Sequence, residues 1–452
     1  MKLIDSAIAY FFGDKRSSKA AKNIIYSFLI KGYAMFIQFA LVPITLGYLD
    51  KFHYGIWLVI SSILEWFSYF DIGVGHGLRN KLAEALAVND LKLAKTYTST
   101  AYALLTIIFT SIILIFTAVN PFLNWSSILN VSASESAVLS EVVFFVFTFF
   151  CVRFILALIT SVVFANQDPA IRNLLGPLGS TLSLIAIILL KKYVAGSLFW
   201  IAMIFSWSPI LVMLVVTIIL FSTRYKAIRP QISHVDFSYS KKLLGLGISF
   251  FIIQISMLVL YSSANMILTQ LYGPAEVTVY NIAYKYFTIG TLVNSLITLP
   301  YWSSFTDAYF KKDFDWVRSS MKKLSSMSWM LIGGQVLLLL LADKIIYLWV
   351  GDVVTIPFTL KIVLTLHVVI QLWESPYIIF LNGVSRVRIQ LYVAVLSIFL
   401  AIPLSIFLSK TLNFGPSGVV VSLICFSLPT AILMRIQYKK IMNNTATGLW
   451  NK

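Results

Sequence analysis

The sequence predicts an all-α polytopic membrane protein: about twelve transmembrane helices in two parallel six-helix repeats, forming N- and C-lobes around a central cavity. Three observations predict it. The 452 residues are 59% hydrophobic and only 12% charged, about half the charge of an ordinary soluble domain. The apolar residues come in runs of roughly twenty, the length at which a helix crosses a hydrocarbon core. The two halves of the chain also repeat one order of runs and loops. Segments of about ten residues with alternating polarity, the mark of a transmembrane barrel, are absent.

The runs cover about 23–48, 53–75, 97–119, 141–165, 172–190, 197–221, 244–272, 277–302, 324–350, 356–382, 389–409 and 416–437. Before the first, Ile8–Phe12 is too short for the core of a cleaved signal, and Asp14, Lys15 and Arg16 follow it. Residues 3–13 read instead as a short interfacial helix.

The formal charge of +17 raises nucleic acid as a partner, but the placement of the charge argues against it. Of the 35 Lys and Arg, 26 fall in the two tails and the loops of one side, 6 fall in the loops of the other, and three lie within spans. Positive charge concentrates on the cytoplasmic side of membrane proteins, which puts both termini inside. A basic face attracted to anionic headgroups accounts for the charge. The expected partner is therefore membrane lipid, and no nucleic acid is expected.

Cys151 and Cys425 both fall inside spans, so no disulfide framework is expected. The chain lacks HExxH, Walker A, GxSxG and Cys/His clusters. No catalytic residues, no metal site and no enzymatic activity are expected.

The repeat is carried by short correspondences. Glu84, Ala85 and Asp90 fall on Asp307, Ala308 and Asp313 at an offset of 223, and Tyr48 lies near Tyr272. Later, Phe164, Asn166 and Arg172 fall on Phe380, Asn382 and Arg388 at an offset of 216. The basic, Pro-containing segment 222–243 is the natural linker. It separates an N-lobe, 1–221, from a C-lobe, 244–452. Six spans per repeat is an even number, so both repeats start on the same side and are parallel. Two parallel lobes that rock about a cavity are a known transporter arrangement.

Polar groups inside a span are costly unless they face a partner or water, so their helical faces point to the cavity. Span 8 carries Asn281, Tyr284, Lys285, Thr288, Thr291, Ser295 and Thr298 on one stripe. Span 7 has Gln254, Tyr261, Asn265 and Thr269; span 1 has Lys31, Gln38 and Thr45; span 2 has Ser61, Glu65 and Ser68. Spans 1 and 2 are the repeat counterparts of 7 and 8. A cavity lined by Gln38, Ser61, Gln254, Asn265, Asn281 and Thr288 follows from that. Hydrogen bonding between helices is the plainer reading of the hydroxyls.

Five ionisable residues within spans sharpen the expectation. Lys31, Arg153 and Lys285 form a cationic set suited to an anionic ligand, because ammonium and guanidinium groups donate to phosphate oxygens. Snorkelling accounts equally well for Lys31, which lies about two turns from the helix end. Glu65 and Glu374, the latter with His367 two turns earlier, are the candidates for ion coupling. The only cofactor expected is a coupling Na+ or H+.

Span 2 ends Asp71-Ile72-Gly73-Val74-Gly75-His76-Gly77-Leu78-Arg79-Asn80-Lys81, and Tyr54-Gly55-Ile56-Trp57 stands near its start. Both segments resemble those at the same places in the polysaccharide-exporter branch of the multidrug/oligosaccharidyl-lipid/polysaccharide (MOP, MATE-like) superfamily. The resemblance implies an O-antigen-type flippase of the bacterial inner membrane. Such a protein carries undecaprenyl-pyrophosphate-linked oligosaccharide from the cytoplasmic to the periplasmic leaflet by ion-gradient-driven alternating access. It also implies the lipid-linked glycan and other glycan-assembly membrane proteins as partners. Physically, Asp71, Gly73, Gly75 and Arg79 read as a gate motif, with glycines for close packing and Asp71 capping a turn and meeting Arg79 or Lys81. The alternatives are a multidrug or cation antiporter of the same superfamily, and a membrane-integral glycan polymerase or ligase.

Overall fold

The computed structural model describes residues 18–68, 74–166, 169–240, 263–384 and 386–451. Every long element is a helix: α1 (Ser18–Leu46), α2 (Lys51–Ser68), α3 (Val74–Ala87), α4 (Leu91–Val119), the short α5 (Trp125–Leu129), α6 (Ser136–Ala165), α7 (Pro169–Tyr193) and α8 (Leu198–Ser222). The second half follows with α9 (Ala264–Tyr272), α10 (Pro274–Phe287), α11 (Ile289–Phe310), α12 (Phe314–Val350), α13 (Phe358–Gly383), α14 (Arg388–Ile406) and α15 (Ser417–Met442). No strand occurs among the described residues. In lipid a helix satisfies its own backbone, which is why apolar runs of this length take that form.

Among the described residues nine helices are long and apolar enough to cross a membrane, and the chain is a multi-pass membrane protein. They match nine of the twelve expected spans. Of the rest, span 2 corresponds to α2, most of span 7 lies outside the described residues, and span 8 is two helices, α10 and α11. The break at Thr288 has a local cause. The hydroxyl of Thr288 donates to the Tyr284 carbonyl at 2.7 Å, and that of Thr291 to the Thr288 carbonyl at 2.7 Å. Such back-bonding competes with the helix ladder and bends it.

The internal repeat is visible in the backbone. At an offset of 223, α2 and α10 start together at Lys51 and Pro274, while α3 and α11 end together at Ala87 and Phe310. The turns that follow are the same turn. Asn89 and Lys312 are left-handed, with φ of 56° and 59°. The Asp90 and Asp313 amides each donate to the carbonyl of Ala85 and Ala308 at 2.9 Å. The two aspartates then cap α4 and α12, accepting from Leu93 N at 2.9 Å and Trp316 N at 3.1 Å. At the other end of the helices, Tyr48 OH donates to the Ala195 carbonyl and Tyr272 OH to the Ser409 carbonyl, both at 2.8 Å. One tyrosine per repeat thus ties the end of its first span to the loop region after its fifth.

Packing groups the chain into two compact units. The first comprises Met1–Tyr48, Asp71–Leu123 and Ala137–Ile248; the second comprises Leu49–Phe70, Asn124–Ser136 and Ser249–Lys452. The division at 222–243 follows the repeat, whereas packing moves two first-half segments into the second unit. The reason for the first segment is the crossing of α2 with its repeat counterpart α10. Gly55 lies so close to Pro274 that a Cβ would come within 1.9 Å of the Pro274 carbonyl oxygen. Beside it the Thr278 hydroxyl donates to the Lys51 carbonyl at 2.7 Å. At the 223 offset Gly55 pairs with Thr278 and Lys51 with Pro274, so the two contacts are pseudo-symmetric images of each other.

The segment expected to link the halves is pinned along its described part. The Gln231 amide donates to the buried Ser99 hydroxyl at 3.0 Å. Thr100 Oγ1 accepts from the Asp236 amide at 3.0 Å and donates to the Asp236 carbonyl at 3.2 Å. Asp236 is held below the ordinary carboxylate range by hydrogen bonds from Ser238.

Candidate functional site

In the second unit, three helices bring part of the expected lining together. Asn265 on α9 donates from Nδ2 to Ser62 Oγ on α2 at 2.5 Å. Its Oδ1 accepts from Asn281 Nδ2 on α10 at 2.7 Å. The Ser62 hydroxyl passes its own proton to the Leu58 carbonyl at 2.8 Å, and Asn281 Nδ2 also donates to the Val277 carbonyl at 2.9 Å. The result is a continuous polar chain across α2, α9 and α10, of the kind that fastens helices in lipid. The hydroxyl that joins it is that of Ser62, one residue from the expected Ser61. Ser61 Oγ is buried, with no hydrogen-bond partner among the described residues.

Lys285 is half-buried on α10, one turn beyond Asn281 on the same face. Glu65 is on α2, and its side chain lies outside the described residues. Gln254 also lies outside them. The lower part of the span-8 stripe is self-satisfied: Ser295 Oγ donates to Leu292 O at 2.7 Å and Thr298 Oγ1 to Asn294 O at 3.0 Å. With Thr288 and Thr291, four hydroxyls of the stripe direct their protons to their own backbone.

Other polar groups are buried on and beside α13. On α13, His367, Gln371 and Glu374 share one face at four- and three-residue spacing. Among the described residues, His367 is 1% exposed and neither ring nitrogen has a hydrogen-bond partner. Glu374 Oε2 is likewise buried without one. Gln335 on α12 is 1% exposed with both amide atoms unsatisfied. Its Oε1 would lie 3.0 Å from a Cβ on Gly290, so the amide packs closely against that glycine. Nearby, Asn294 Nδ2 donates to Ser375 Oγ at 2.7 Å. Burying polar atoms unpaired costs free energy. Gln335 and Asn294 escaped the sequence reading. The available signal was a lone amide in each of two apolar runs.

In the first unit, Lys31 is exposed on α1. On the same face Gln38 Nε2 donates to Ser180 Oγ on α7 at 3.2 Å, and Tyr33 shares a hydrogen bond with Thr181 at 2.7 Å. Gln38 thus serves the α1–α7 contact. Arg153 is exposed midway along α6. Lys31 and Arg153 belong to the first unit, and Lys285 and Glu374 to the second.

Of the gate motif, Asp71 and Gly73 lie outside the described residues, while Gly75 is buried near the start of α3. The Arg79 guanidinium sits over the Phe164 ring, 4.6 Å from its centroid. Lys81 Nζ pairs with Glu84 at 2.7 Å, and that hydrogen bond holds its pKa above the ordinary lysine value. The described partners of the two basic residues are therefore an aromatic ring and a glutamate.

No family model matches the chain. The fold is that of the MATE-type transporters of the MOP superfamily. One structure, described as the inward-facing conformation of a multidrug resistance MATE family transporter of the MOP superfamily, matches with a TM-score of 0.68 at 14% identity, over 98% of this chain and 99% of that chain. An outward-facing conformation, described in the same terms, matches with a TM-score of 0.63 at 13% identity, over 93% and 96%. In sequence, the chain is 23% identical over 412 residues to a protein of Yersinia pseudotuberculosis described as "Putative O-antigen export protein". The match covers 88% of this chain and 90% of that protein. The resemblance carried by the span-2 motif thus extends over nearly the whole length.

Proposed function

We propose that the chain is a flippase that moves a lipid-linked oligosaccharide of the undecaprenyl-pyrophosphate type from the cytoplasmic to the periplasmic leaflet of the bacterial inner membrane. The observation that carries this reading is the likeness, over 88% of the chain, to the Yersinia pseudotuberculosis protein described as "Putative O-antigen export protein", together with a MATE-type fold. The charge distribution supports cytoplasmic termini. The moving bodies of an alternating-access cycle are the two compact units, which follow the N- and C-lobes 1–221 and 244–452 except at 49–70 and 124–136.

In this mechanism Lys285, with Lys31 and Arg153, attracts the pyrophosphate, where charge-assisted hydrogen bonds are strongest. Asn265, Asn281 and the other polar groups of the lining meet the sugar, and the lipid tail stays in the bilayer. A Na+ or H+ taken up by Glu65 or Glu374 resets the protein; the burial of Glu374 Oε2 supports that role. The translocation makes and breaks no covalent bond. Glycan-assembly membrane proteins of the same pathway supply and consume the substrate.

Lys285→Ala should abolish surface glycan in a complemented deletion strain while the variant remains at normal abundance, and Lys285→Arg should restore much of it. Near-normal surface glycan from Lys285→Ala would overturn the assignment. The structures of multidrug transporters with this fold favour one other reading, a cation antiporter. That reading predicts drug resistance on expression and no glycan defect on deletion.

A further inference from the structure

We propose that Asn281, Tyr284 and Lys285 form a subsite for a pyranosyl phosphate, with Tyr284 as the ring on which the sugar next to the phosphate stacks. The proposal rests on the flippase reading and gives it a residue that recognises the sugar. All three residues belong to α10, within the second unit.

Accessibility picks them out. From Val277 to Phe287 every residue of α10 is buried except these three, which are half-buried. Asn281 stands one turn before the adjacent pair Tyr284 and Lys285. The three therefore make one patch, with about 5–6 Å between Asn281 and each of the others. A helix face turned to lipid is apolar, whereas this one offers an amide, a phenol and an ammonium group. The framework shared by the two repeats does not require them. At the 223 offset their counterparts on α2 are Leu58, Ser61 and Ser62, which carry neither ring nor charge.

Each member presents a different chemistry. Asn281 Nδ2 has two protons, and both are committed, to Asn265 Oδ1 at 2.7 Å and to the Val277 carbonyl at 2.9 Å. Only Oδ1 is left to offer, an acceptor for a hydroxyl or an amide N–H. Its orientation is fixed, because Asn265 is bonded in turn to Ser62. Tyr284 is stacked on Tyr280, with ring centroids 5.7 Å apart and planes 27° from parallel. Tyr280 is buried and backs one face of the ring, so the accessible part of Tyr284 is its other face and its edge. Lys285 adds a cation for a phosphate oxygen. Acceptor, apolar ring and cation within one helical turn match a sugar phosphate. Its hydroxyl or N-acyl N–H goes to Asn281, the C–H face of the pyranose to Tyr284, and the anion to Lys285. A bare pyrophosphate uses only the last of these. Tyr284 is therefore the residue that distinguishes a glycosylated lipid from its unglycosylated carrier.

The full chain in lipid nanodiscs, free of maltoside detergent, is titrated with two probes: undecaprenyl pyrophosphate and undecaprenyl-pyrophosphate-linked N-acetylglucosamine. The unaltered chain should bind the second more tightly. Tyr284→Leu should weaken binding of the second by about two- to tenfold, the worth of one aromatic contact, and leave the first unchanged. Tyr284→Phe should keep the preference. Equal loss for both probes, or no loss for either, would overturn the subsite. If Tyr284→Leu folds poorly, 3-fluorotyrosine in place of Tyr284 decides the matter in an otherwise unaltered chain. Its fluorine resonance should shift with the second probe and not with the first, and the same response to both would overturn the stacking. Failure of both probes to bind the unaltered chain would instead refute the flippase reading, and the subsite with it.

Discussion

The α2–α10 crossing makes the sharpest stability prediction. In Gly55→Ala the new Cβ would stand 1.9 Å from the Pro274 carbonyl oxygen, 2.5 Å from its carbon and 3.1 Å from Thr278 Oγ1. The obstructing atoms are backbone, so a rotamer change cannot relieve the clash. Restoring ordinary contact requires the helices to part by roughly 1.5 Å, given carbon contact distances of about 3.5 Å. Overpacking of this kind costs about 1–3 kcal/mol. The same separation breaks the 2.7 Å bond from Thr278 to the Lys51 carbonyl, adding about 0.5–1.5 kcal/mol. The total is about 1.5–4.5 kcal/mol. Thr278→Val serves as the control, because it loses the hydrogen bond and keeps the shape. Apparent melting midpoints of the purified protein in one detergent provide the comparison, read as differences because a chain of this size does not unfold in one step. Gly55→Ala should lower the midpoint by at least twice as much as Thr278→Val. A Gly55→Ala protein as stable and abundant as the wild type would refute the close approach.

Other predictions follow from single contacts. Asp90→Ala and Asp313→Ala remove equivalent caps, so each should cost about 0.5–2 kcal/mol and lower the melting midpoint by similar amounts; a large difference between them would contradict the shared turn. Thr100→Val leaves the Asp236 amide and carbonyl without their partner, at about 1–3 kcal/mol for two bonds. Trypsin should then cleave faster at Arg224 and Lys226, and an unchanged rate would show that the segment is held elsewhere. Trp450 packs against the buried cluster that includes Phe305, Met434 and Ile441, its carbonyl accepts from Gln437 at 3.1 Å, and Lys440 stands 5.0 Å from its ring. Trp450→Ala should free the tail at a cost of about 1–3 kcal/mol, part of a full core truncation because the residue is only half-buried. Faster proteolytic loss of a C-terminal tag is the readout, and an unaltered rate would count against the packing.

What the sequence made legible follows from which forces leave a pattern. Lipid demands long apolar runs, so nine expected spans reappear as helices of the right length. Turn chemistry is local, so the correspondence of Asp90 with Asp313 survives as one cap built twice. The bend at Thr288 was hidden, because a Ser/Thr stripe reads as one continuous helix until its hydroxyls are seen bonding their own carbonyls. Ser61 and Ser62 differ by one helical step, and only the packed position of Asn265 selects Ser62. Segment 124–136 left no signal, because Asn130 and Gln270, which join it to α9, bind backbone carbonyls, which any sequence provides. The same holds for α2, whose place beside α10 depends on a single glycine in a run of larger residues.

The central claim is that this chain moves a pyrophosphate-linked glycan lipid between leaflets. The most direct measurement places purified protein in vesicles carrying undecaprenyl-pyrophosphate-linked oligosaccharide on one leaflet, with an ion gradient imposed, and follows its arrival on the other with a membrane-impermeant glycosidase. The account predicts transfer that needs the protein and the gradient and is lost in Lys285→Ala. Transfer no faster than in protein-free vesicles, with an intact fold and a maintained gradient, would contradict it.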